Sequence, residues 1–410
     1  MFFLYIDPGT GSMLFSILIG IVSTLIFFGQ RLFMKLKFVL SGGKGAKISS
    51  AKIPYVIFSD HKRYWNVFKP ICDEFEKRGV NLVYWTASPD DPALTEKYEH
   101  IKAQFIGEGN KAFARLNMMN ARIVLSTTPG LDVYQWKRSK TVDFYVHILH
   151  AVDDPASYRM FGLDFYDAVL LSGSYQVEQI RFLEKERNIK EKELVVVGCP
   201  YMDTMYSRLK NASRKNEGNR TVLLAPSWGA SSILSKYGER ILDALIATGF
   251  KIIVRPHPQT LVSEKNIIEP LIKKYSESEN FSWNYDNDNF EVLNSADILI
   301  TDFSGIIFDY SLIFDRPLIY ADTSFDTAPY DADWLKEPMW KFRVLPSLGV
   351  KLEEALFGDM KSLIENTINN EDLKAGRENA RKIAWENIGK SAELTADYMI
   401  KKYEDAKCKA

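Results

Sequence analysis

Short apolar runs alternate along the chain with segments in which apolar residues recur every three or four positions. The runs have the length and composition of buried strands, and the periodic segments have the spacing of amphipathic helices. In the first half, the predicted strands are Tyr55–Ser59, Val80–Thr86, Arg122–Ser126, Phe144–His147, Ala168–Ser172 and Leu194–Val197. The predicted helices are Tyr64–Arg78, Asn110–Asn120 and Tyr175–Arg187. Strands that alternate with helices predict βαβ units and a parallel sheet.

The second half repeats this alternation after a polar stretch, Lys210–Asn219. Its predicted strands are Val222–Ala225, Lys251–Val254, Ile298–Ile300 and Pro317–Tyr320, and its predicted helices are Lys236–Ala247 and Asn266–Tyr275. We therefore predict an α/β fold with two doubly wound, Rossmann-like domains, residues 51–210 and 211–372. A charged helical segment, residues 373–410, is predicted to pack across both. In such sheets, ligands bind at the carboxyl ends of the strands.

The N-terminal region has a different pattern. No charged residue lies between Pro8 and Gln30, and Met13–Phe28 is almost wholly apolar, which is long enough to cross a bilayer. The alternative is a cleaved signal peptide, but a basic N-terminal region and an Ala-x-Ala-like site are both missing. Basic residues follow from Arg31 to Lys52 without an acidic one. Residues 1–50 are therefore predicted to be a transmembrane helix and a basic linker, with the catalytic part on the cytoplasmic side of the cell membrane.

Composition excludes several classes of function. The 410 residues carry a net charge of −1, so no nucleic-acid partner is expected. The three cysteines and five histidines have neither HExxH nor Cys/His metal-ligand spacing, so neither a metal nor another cofactor is expected. Scattered cysteines, odd in number, are typical of a reducing compartment.

The strand–turn–helix–strand unit from Ser295 to Tyr320 is the strongest candidate for a ligand site. Ser304 is a good helix N-cap, and the hydroxyl and free amides at Ser304 and Gly305 favour an anionic ligand. No Lys or Arg lies between Asp297 and Phe314, so the cation must come from elsewhere. Two residues of the Arg-Pro-His-Pro segment after the strand Lys251–Val254 are candidates, Arg255 as a phosphate fork and His257 as a proton donor. A surface turn with a salt bridge is the alternative.

Other candidates also follow predicted strands. His150 ends an apolar run and is a candidate general base, or else a core or capping histidine. Trp228, beside Ser227 in a predicted substrate-binding turn, is placed to stack on a base or ribose, or to be buried between domains. Asp302 is a candidate for orienting a substrate hydroxyl, or an ordinary turn-forming residue. The turns Gly198-Cys199-Pro200 and Thr127-Thr128-Pro129-Gly130 are predicted to line the cleft.

Several of these motifs together resemble a known family. They are RPHP and APSW after strands, TDFSGIIFDY, GCP, and an upstream strand ending in histidine. They resemble the CDP-glycerol glycerophosphotransferases, the primases and polymerases of wall teichoic acid, over about residues 120–345. The resemblance implies a two-domain GT-B-like fold and a histidine base at His150. It also implies diphosphate binding by Arg255 and His257, and phosphate contacts at the Ser304-Gly305 helix start.

The chain departs from the family pattern at three positions. Ala151 stands where the family usually has a glycine, and Tyr201 and Gly229 stand where it usually has arginines. The two lost arginines remove basic residues from the predicted cleft.

We therefore expect a membrane-anchored transferase that moves a polyol phosphate from a CDP-activated donor, with release of CMP. The expected acceptor is a lipid-linked or polymeric cell-envelope glycan at the inner leaflet. Two alternatives remain open from the residues alone. One is a GT-B glycosyltransferase that uses a nucleotide-sugar donor, and the other is a catalytically silent, membrane-anchored scaffold.

Overall fold

The computed structural model of the protein describes residues 52–213, 218–286, 288–321 and 325–408. The predicted transmembrane helix within residues 1–50 lies outside these ranges. None of the helices in these described ranges is both long enough and apolar enough to span a bilayer.

The first sheet has seven strands, all paired in parallel. They are β1 Ile53–Ser59, β2 Leu82–Thr86, β3 Ile101–Phe105, β4 Ala121–Ser126, β5 Phe144–Ile148, β6 Ala168–Leu171 and β7 Glu193–Val196. Their order is β3-β2-β1-β4-β5-β6-β7. The order reverses between β1 and β4, which is where doubly wound sheets bind ligands.

The second sheet has six parallel strands with the same reversal. They are β8 Thr221–Leu224, β9 Lys251–Val254, β10 Phe281–Trp283, β11 Ile298–Thr301, β12 Leu318–Ala321 and β13 Gly349–Leu352. Their order is β10-β9-β8-β11-β12-β13, so the reversal falls between β8 and β11. The predicted α/β fold with two parallel sheets is confirmed.

Helices cover both sheets. The α-helices are α1 Trp65–Lys77, α2 Asn110–Leu116, α3 Tyr175–Glu186, α4 Pro200–Asn211, α5 Ile233–Tyr237, α6 Glu239–Ile246, α7 Thr260–Ser263, α8 Lys265–Lys274, α9 Phe290–Ser295, α10 Ile306–Phe308, α11 Trp340–Leu348, α12 Met360–Ile368, α13 Asp372–Ala384 and α14 Ser391–Cys408. Short 3₁₀ turns occupy Lys62–Tyr64, Pro92–Leu94, Pro155–Ser157, Asp331–Trp334 and Glu354–Asp359, and a π-helical turn, Asp309–Ile313, follows α10.

The main differences from the predicted elements concern short strands and the C-terminal helix. β3, β10 and β13 were not predicted, because each is short and lies at or near a sheet edge, where an apolar pattern is weakest. The single predicted helix Leu373–Ala406 is two helices, α13 and α14. The break contains Asn387 and Gly389, both with positive φ angles of 54° and 79°, a conformation that ends a helix.

The C-terminal segment contacts both halves of the chain. Ala380 and Ala384 of α13 are buried in one cluster with Leu345 of α11. Ala396 and Met399 of α14 are buried in the same cluster as Tyr55 and Phe75. Gly198, with φ +96°, lies beneath the break between the two helices, since a Cβ there would stand 2.6 Å from the Glu386 carbonyl oxygen. The prediction that Gly198-Cys199-Pro200 lines the cleft is therefore wrong, because this turn is packed under the break between α13 and α14 instead.

Candidate active site

The predicted site residues lie on loops at the carboxyl ends of the strands of both sheets. In the first sheet, β1 leads to Arg63 and Tyr64, β4 to Thr127 and β5 to His150. In the second, β8 leads to Ser227 and Trp228, β9 to Arg255 and His257, and β11 to Asp302, Ser304 and Gly305. These loops flank the reversal of strand order in each sheet, which is the expected position of a ligand site.

His150 is held through one ring nitrogen. Its Nδ1 lies 3.1 Å from the Thr127 Oγ1 and 3.3 Å from the Tyr158 hydroxyl. Each hydroxyl can accept a hydrogen bond, so Nδ1 can carry the proton. Nε2 makes no hydrogen bond within the described residues, and in that tautomer it offers a lone pair. The ring also packs edge-to-face on Tyr64, with centroids 5.0 Å apart.

A second histidine stands behind the first. His147 is fully buried, and its Nε2 lies 3.1 Å from the hydroxyl of Tyr158. Tyr158 therefore lies between the two imidazoles and can accept from His150 while it donates to His147. Nδ1 of His147 is buried without a hydrogen-bond partner in the described part of the chain.

Both histidines are held neutral. Burial lowers the pKa of His150 to about 4, the charge of Arg63 lowers it further, and Asp153 opposes the shift. Burial also takes the pKa of His147 well below its usual range. An uncharged imidazole at neutral pH has the free lone pair that a general base needs.

His257 is held in the other tautomer. Its Nδ1 accepts a hydrogen bond from the Gln259 backbone amide, 3.1 Å away. In the neutral ring, the proton must therefore be on Nε2, which makes that atom a hydrogen-bond donor. Burial, followed by the charge of Arg63, lowers the pKa of His257, and Glu264 opposes the shift.

Trp228 lies beside His257 and is open to solvent. Its side chain is 46% exposed, and the two ring centroids are 6.4 Å apart. The alternative of a tryptophan buried between domains is therefore wrong. An exposed indole next to a polar ring provides a stacking surface for a planar ligand group.

Arg255 turns towards β10. Its guanidinium donates to the Asn284 side chain and to the Asp286 carbonyl oxygen, the latter at 2.7 Å. Burial lowers the pKa of Arg255, and the charges of Asp286 and Asp288 oppose this shift. Part of its donor capacity is therefore used within the protein.

Asp302 and Ser227 bind each other. The Asp302 carboxylate accepts from the amide and hydroxyl of Ser227, at 2.9 and 2.5 Å, and from the Ile233 amide at 3.1 Å. Asp302 is 1% exposed, and burial raises its pKa although these bonds oppose the shift. This geometry is that of a residue that fixes the loop after β8, in keeping with the turn-forming alternative.

The turn after β11 differs from the prediction in its cap. Gly305, not Ser304, is the N-cap of α10, and no side chain caps the helix. Ser304 accepts the Ile307 amide only through its backbone oxygen. Gly305 is exposed, and no atom of the described residues would lie within 4 Å of a Cβ built on it. The amide end of this helix is thus open to a ligand.

The π-helical turn after α10 carries a buried acid. Asp309 Oδ2 lies 3.1 Å from the Tyr201 hydroxyl and 3.3 Å from the Asn289 Nδ2. Burial raises the pKa of Asp309 to about 7, although both contacts oppose the shift. Tyr201, which stands where the family usually has an arginine, is therefore a neutral partner of this acid.

A cavity of about 510 Å³ lies at the carboxyl ends of β11 and β12. Its walls are largely apolar and include Phe303, Phe325, Met339 and Phe342, with Asp302 at one edge. This volume lies within the range of small-molecule sites. In the described ranges, no group of three or more His, Cys, Asp or Glu side chains is arranged to hold a metal ion.

The two sheets are joined next to His150. The Asp154 carboxylate accepts the backbone amides of Trp340 and Lys341, both at 2.8 Å, at the start of α11. The Lys341 ammonium bonds the Ser157 hydroxyl at 3.0 Å. Asp154 is therefore used largely to connect the two halves of the site.

Sequence reasoning missed three residues of this site, Arg63, Tyr64 and Tyr158. Arg63 and Tyr64 follow β1 directly, so the rule that ligands bind at strand ends could have identified them. Tyr158 is eight residues beyond His150, and only the folded loop brings its hydroxyl to the imidazole.

Comparisons with known proteins agree with this geometry. A family model described as CDP-Glycerol:Poly(glycerophosphate) glycerophosphotransferase matches residues 158–393, which is more than half of the chain. The teichoic acid glycerol-phosphate primase of Bacillus subtilis (strain 168) is 24% identical over 287 residues, covering 62% of this chain and 70% of that protein.

Solved structures share the fold. A structure of the wall teichoic acid polymerase TagF, soaked with CDPG, is similar with a TM-score of 0.58 and 16% identity, covering 92% of this chain and 98% of that one. A UDP-GlcNAc 2-epimerase of Methanocaldococcus jannaschii is similar with a TM-score of 0.53 and 14% identity, covering 86% of this chain and 100% of that one. At these identities, the likeness concerns the GT-B-like arrangement of the sheets.

Proposed function

Because this chain belongs to the CDP-glycerol:poly(glycerophosphate) glycerophosphotransferase family, we propose that it transfers glycerol phosphate from CDP-glycerol to a hydroxyl of a cell-envelope polymer. Membership of this family indicates that the protein is an enzyme, so the alternative of a catalytically silent scaffold is not supported. We further propose that the acceptor is a lipid-linked or polymeric glycan, reached from the cytoplasmic face of the membrane by a protein anchored through residues 1–50.

One observation carries the proposal. His150 and His257 end strands of different sheets, and their ring nitrogens are held in opposite ways. His150 presents an unbonded Nε2 from a ring kept neutral, and His257 presents a protonated Nε2. This is the pair that transfer at phosphorus requires, with a base for the incoming hydroxyl and a donor for the phosphate oxygens.

In the proposed reaction, His150 Nε2 takes the proton from the acceptor hydroxyl. That oxygen forms a bond to the phosphorus next to glycerol, and the bond from this phosphorus to the oxygen of CMP breaks. The products are a new phosphodiester, CMP and a protonated His150, which then returns its proton to solvent. The charge on the leaving phosphate and on the non-bridging oxygens is held by His257 and by the amide end of α10 at Ser304 and Gly305.

The remaining predicted residues support this reaction from further away. We propose that Trp228 stacks on the cytosine or ribose of the donor. Arg255 is proposed to reach a phosphate through the donor groups that Asn284 and Asp286 leave available. Asp302 and Ser227 act by fixing the loop that carries Trp228, since their polar atoms bond each other.

Identification of the released nucleotide tests the proposal. The full chain, in nanodiscs with a membrane extract as acceptor, is offered CDP-glycerol, CDP-ribitol and a panel of UDP-sugars. We expect CMP from CDP-glycerol, with His150 and His257 both required. UDP release from a UDP-sugar would instead support a glycosyltransferase on the same fold, and release of CDP from CDP-glycerol would move the attack from phosphorus to carbon.

A further inference from the structure

We propose that Arg63 is a donor-binding residue, which contacts the diphosphate from the side of the first sheet, between His150 and His257. This inference rests on the proposed function for the identity of the donor, but its anion site can be tested separately. Sequence reasoning looked for the missing cation in the second sheet, whereas this residue belongs to the first.

The position of Arg63 follows from the loop after β1. A 3₁₀ turn, Lys62–Tyr64, begins three residues beyond that strand, and the guanidinium lies 4.8 Å over the centre of the Tyr64 ring. The same ring contacts His150 on its edge, with centroids 5.0 Å apart. Tyr64 therefore holds the cation close to the proposed base.

The guanidinium is available for a ligand. Arg63 is exposed, and among the described residues no carboxylate lies within ion-pair distance of it. Its neighbour Lys62 differs, because the ammonium of Lys62 is paired with Asp90 on the outer side of the loop. Arg255, the cation expected from the sequence, is bonded to Asn284 and Asp286. A planar guanidinium that is not paired with a carboxylate is suited to phosphate oxygens.

The charge of Arg63 reaches both halves of the site. It lowers the pKa of His150 in the first sheet and of His257 in the second, after burial in each case. It also opposes the rise in the pKa of Asp60 at the end of β1. A single cation thus acts electrostatically on both histidines, and through Tyr64 it is in contact with the surroundings of His150.

This position has a consequence for catalysis. The titratable or charged groups that face His150 are Arg63 and Tyr64 from the loop after β1, His147 from β5, and Asp153 and Tyr158 from the segment that follows. When a diphosphate binds Arg63, its negative charge offsets that of the guanidinium. His150 then becomes more basic when the donor is bound, which is when it must accept a proton.

The test compares Arg63→Gln with Lys62→Gln, an adjacent exposed residue turned towards Asp90. We expect Arg63→Gln to raise the KM for CDP-glycerol by at least about 10-fold, on the scale of one charged hydrogen bond. Lys62→Gln is expected to change it less than 2-fold. Thermal melting of both variants checks that the fold is kept.

A second readout requires no turnover. With ¹⁵N-labelled histidine in the full chain, the pKa of His150 is followed by NMR with and without inorganic pyrophosphate. Pyrophosphate should raise this pKa in the parent protein and in Lys62→Gln, whereas in Arg63→Gln the pKa should start higher and stay unchanged. An equal response in Arg63→Gln and the parent would overturn the proposal. If CDP-glycerol were not the donor, the pyrophosphate response would still depend on Arg63, so the two failures are distinguishable.

Discussion

His150 follows β5 of the first sheet and His257 follows β9 of the second, yet their environments differ in one decisive contact. Each lies on a loop at the carboxyl end of a strand. At His257, Nδ1 faces a backbone amide, which can only donate. At His150, Nδ1 faces the hydroxyls of Thr127 and Tyr158, which can accept. In the proposed reaction, the same side chain therefore serves as a proton donor in one sheet and as a base in the other.

The group that faces Nδ1 influences which tautomer a neutral histidine adopts, and thereby whether Nε2 can donate or accept a proton. An amide partner leaves no choice of tautomer, whereas hydroxyl partners permit the tautomer with a free Nε2. Among the described residues, no carboxylate is hydrogen-bonded to His150, so its protonated form lacks a strong compensating charge. The low pKa of His150, about 4, follows from this absence together with burial and Arg63.

The largest effects are expected from the two histidines themselves. His150→Ala removes the base and His257→Ala removes a donor, and each should lower kcat by about 10³-fold in the nucleotide-release assay. His100→Ala is the matched control, because His100 precedes β3 at the opposite end of the first sheet. Loss of activity in the control, or full activity in either site variant, would remove the basis of the comparison.

The contacts of Nδ1 should matter next. Tyr158→Phe leaves one hydroxyl beside His150, and Tyr158→Phe combined with Thr127→Val leaves none. We expect kcat losses of roughly 10-fold and 10²-fold, because the ring is then free to adopt the wrong tautomer. The contrary outcome is a double variant as active as the parent, with CMP release as the measure in each case.

On the side of His257, the open amide end of α10 gives a smaller effect. Gly305 has ordinary helical φ, and a Cβ there would meet no protein atom, so Gly305→Ala should not destabilise the fold. If a donor phosphate lies against this backbone, the added methyl group should raise the KM for CDP-glycerol by about 5- to 10-fold. Gly358→Ala, at a second glycine with open space around it, is the control. Identical KM values in both variants would argue against phosphate at this turn.

Asp309 extends the comparison to a group whose pKa shifts in the opposite direction. Its folded-state value of about 7 lies above the usual range, so between about pH 4 and pH 7 the folded chain binds more protons at this site than the unfolded chain does. The contribution of Asp309 to the free energy of unfolding therefore falls as the pH rises through that window.

Asp309→Asn removes this titration and keeps an oxygen for Tyr201 and Asn289. Relative to the parent, the variant should gain roughly 1 to 3 kcal/mol in free energy of unfolding between pH 4.5 and pH 8. Urea denaturation at both pH values measures this gain. A constant difference across the range would mean that Asp309 is ionised throughout.

Much of the fold followed from periodicity, and much of the site from the position of residues at strand ends. The central strand β1 is strongly apolar and was predicted within two residues of its observed bounds, and the short strand β9 was predicted with its observed bounds. Short or edge strands such as β10 carry too few residues for a pattern. His150, His257 and Trp228 were identified because a reactive or aromatic side chain follows a predicted strand.

The contacts that distinguish these residues could not be predicted. The Tyr158 hydroxyl reaches two histidines only through the fold of the loop after β5. The sequence predicts that Asp302 orients a substrate hydroxyl, whereas in the structure its carboxylate accepts hydrogen bonds from Ser227 and Ile233. Arg63 lies in a loop whose charge pattern is that of an ordinary exposed turn, and its importance comes from the side chains around it.

The tautomers of the two histidines test the account most directly. The full chain, labelled with ¹⁵N in its histidine rings and assigned by single His→Gln variants, is studied at pH 7 by long-range ¹H–¹⁵N correlation. We expect neutral rings at both positions, with the proton on Nδ1 of His150 and on Nε2 of His257. A charged His150, or the same tautomer at both positions, would contradict the assignment of base and donor.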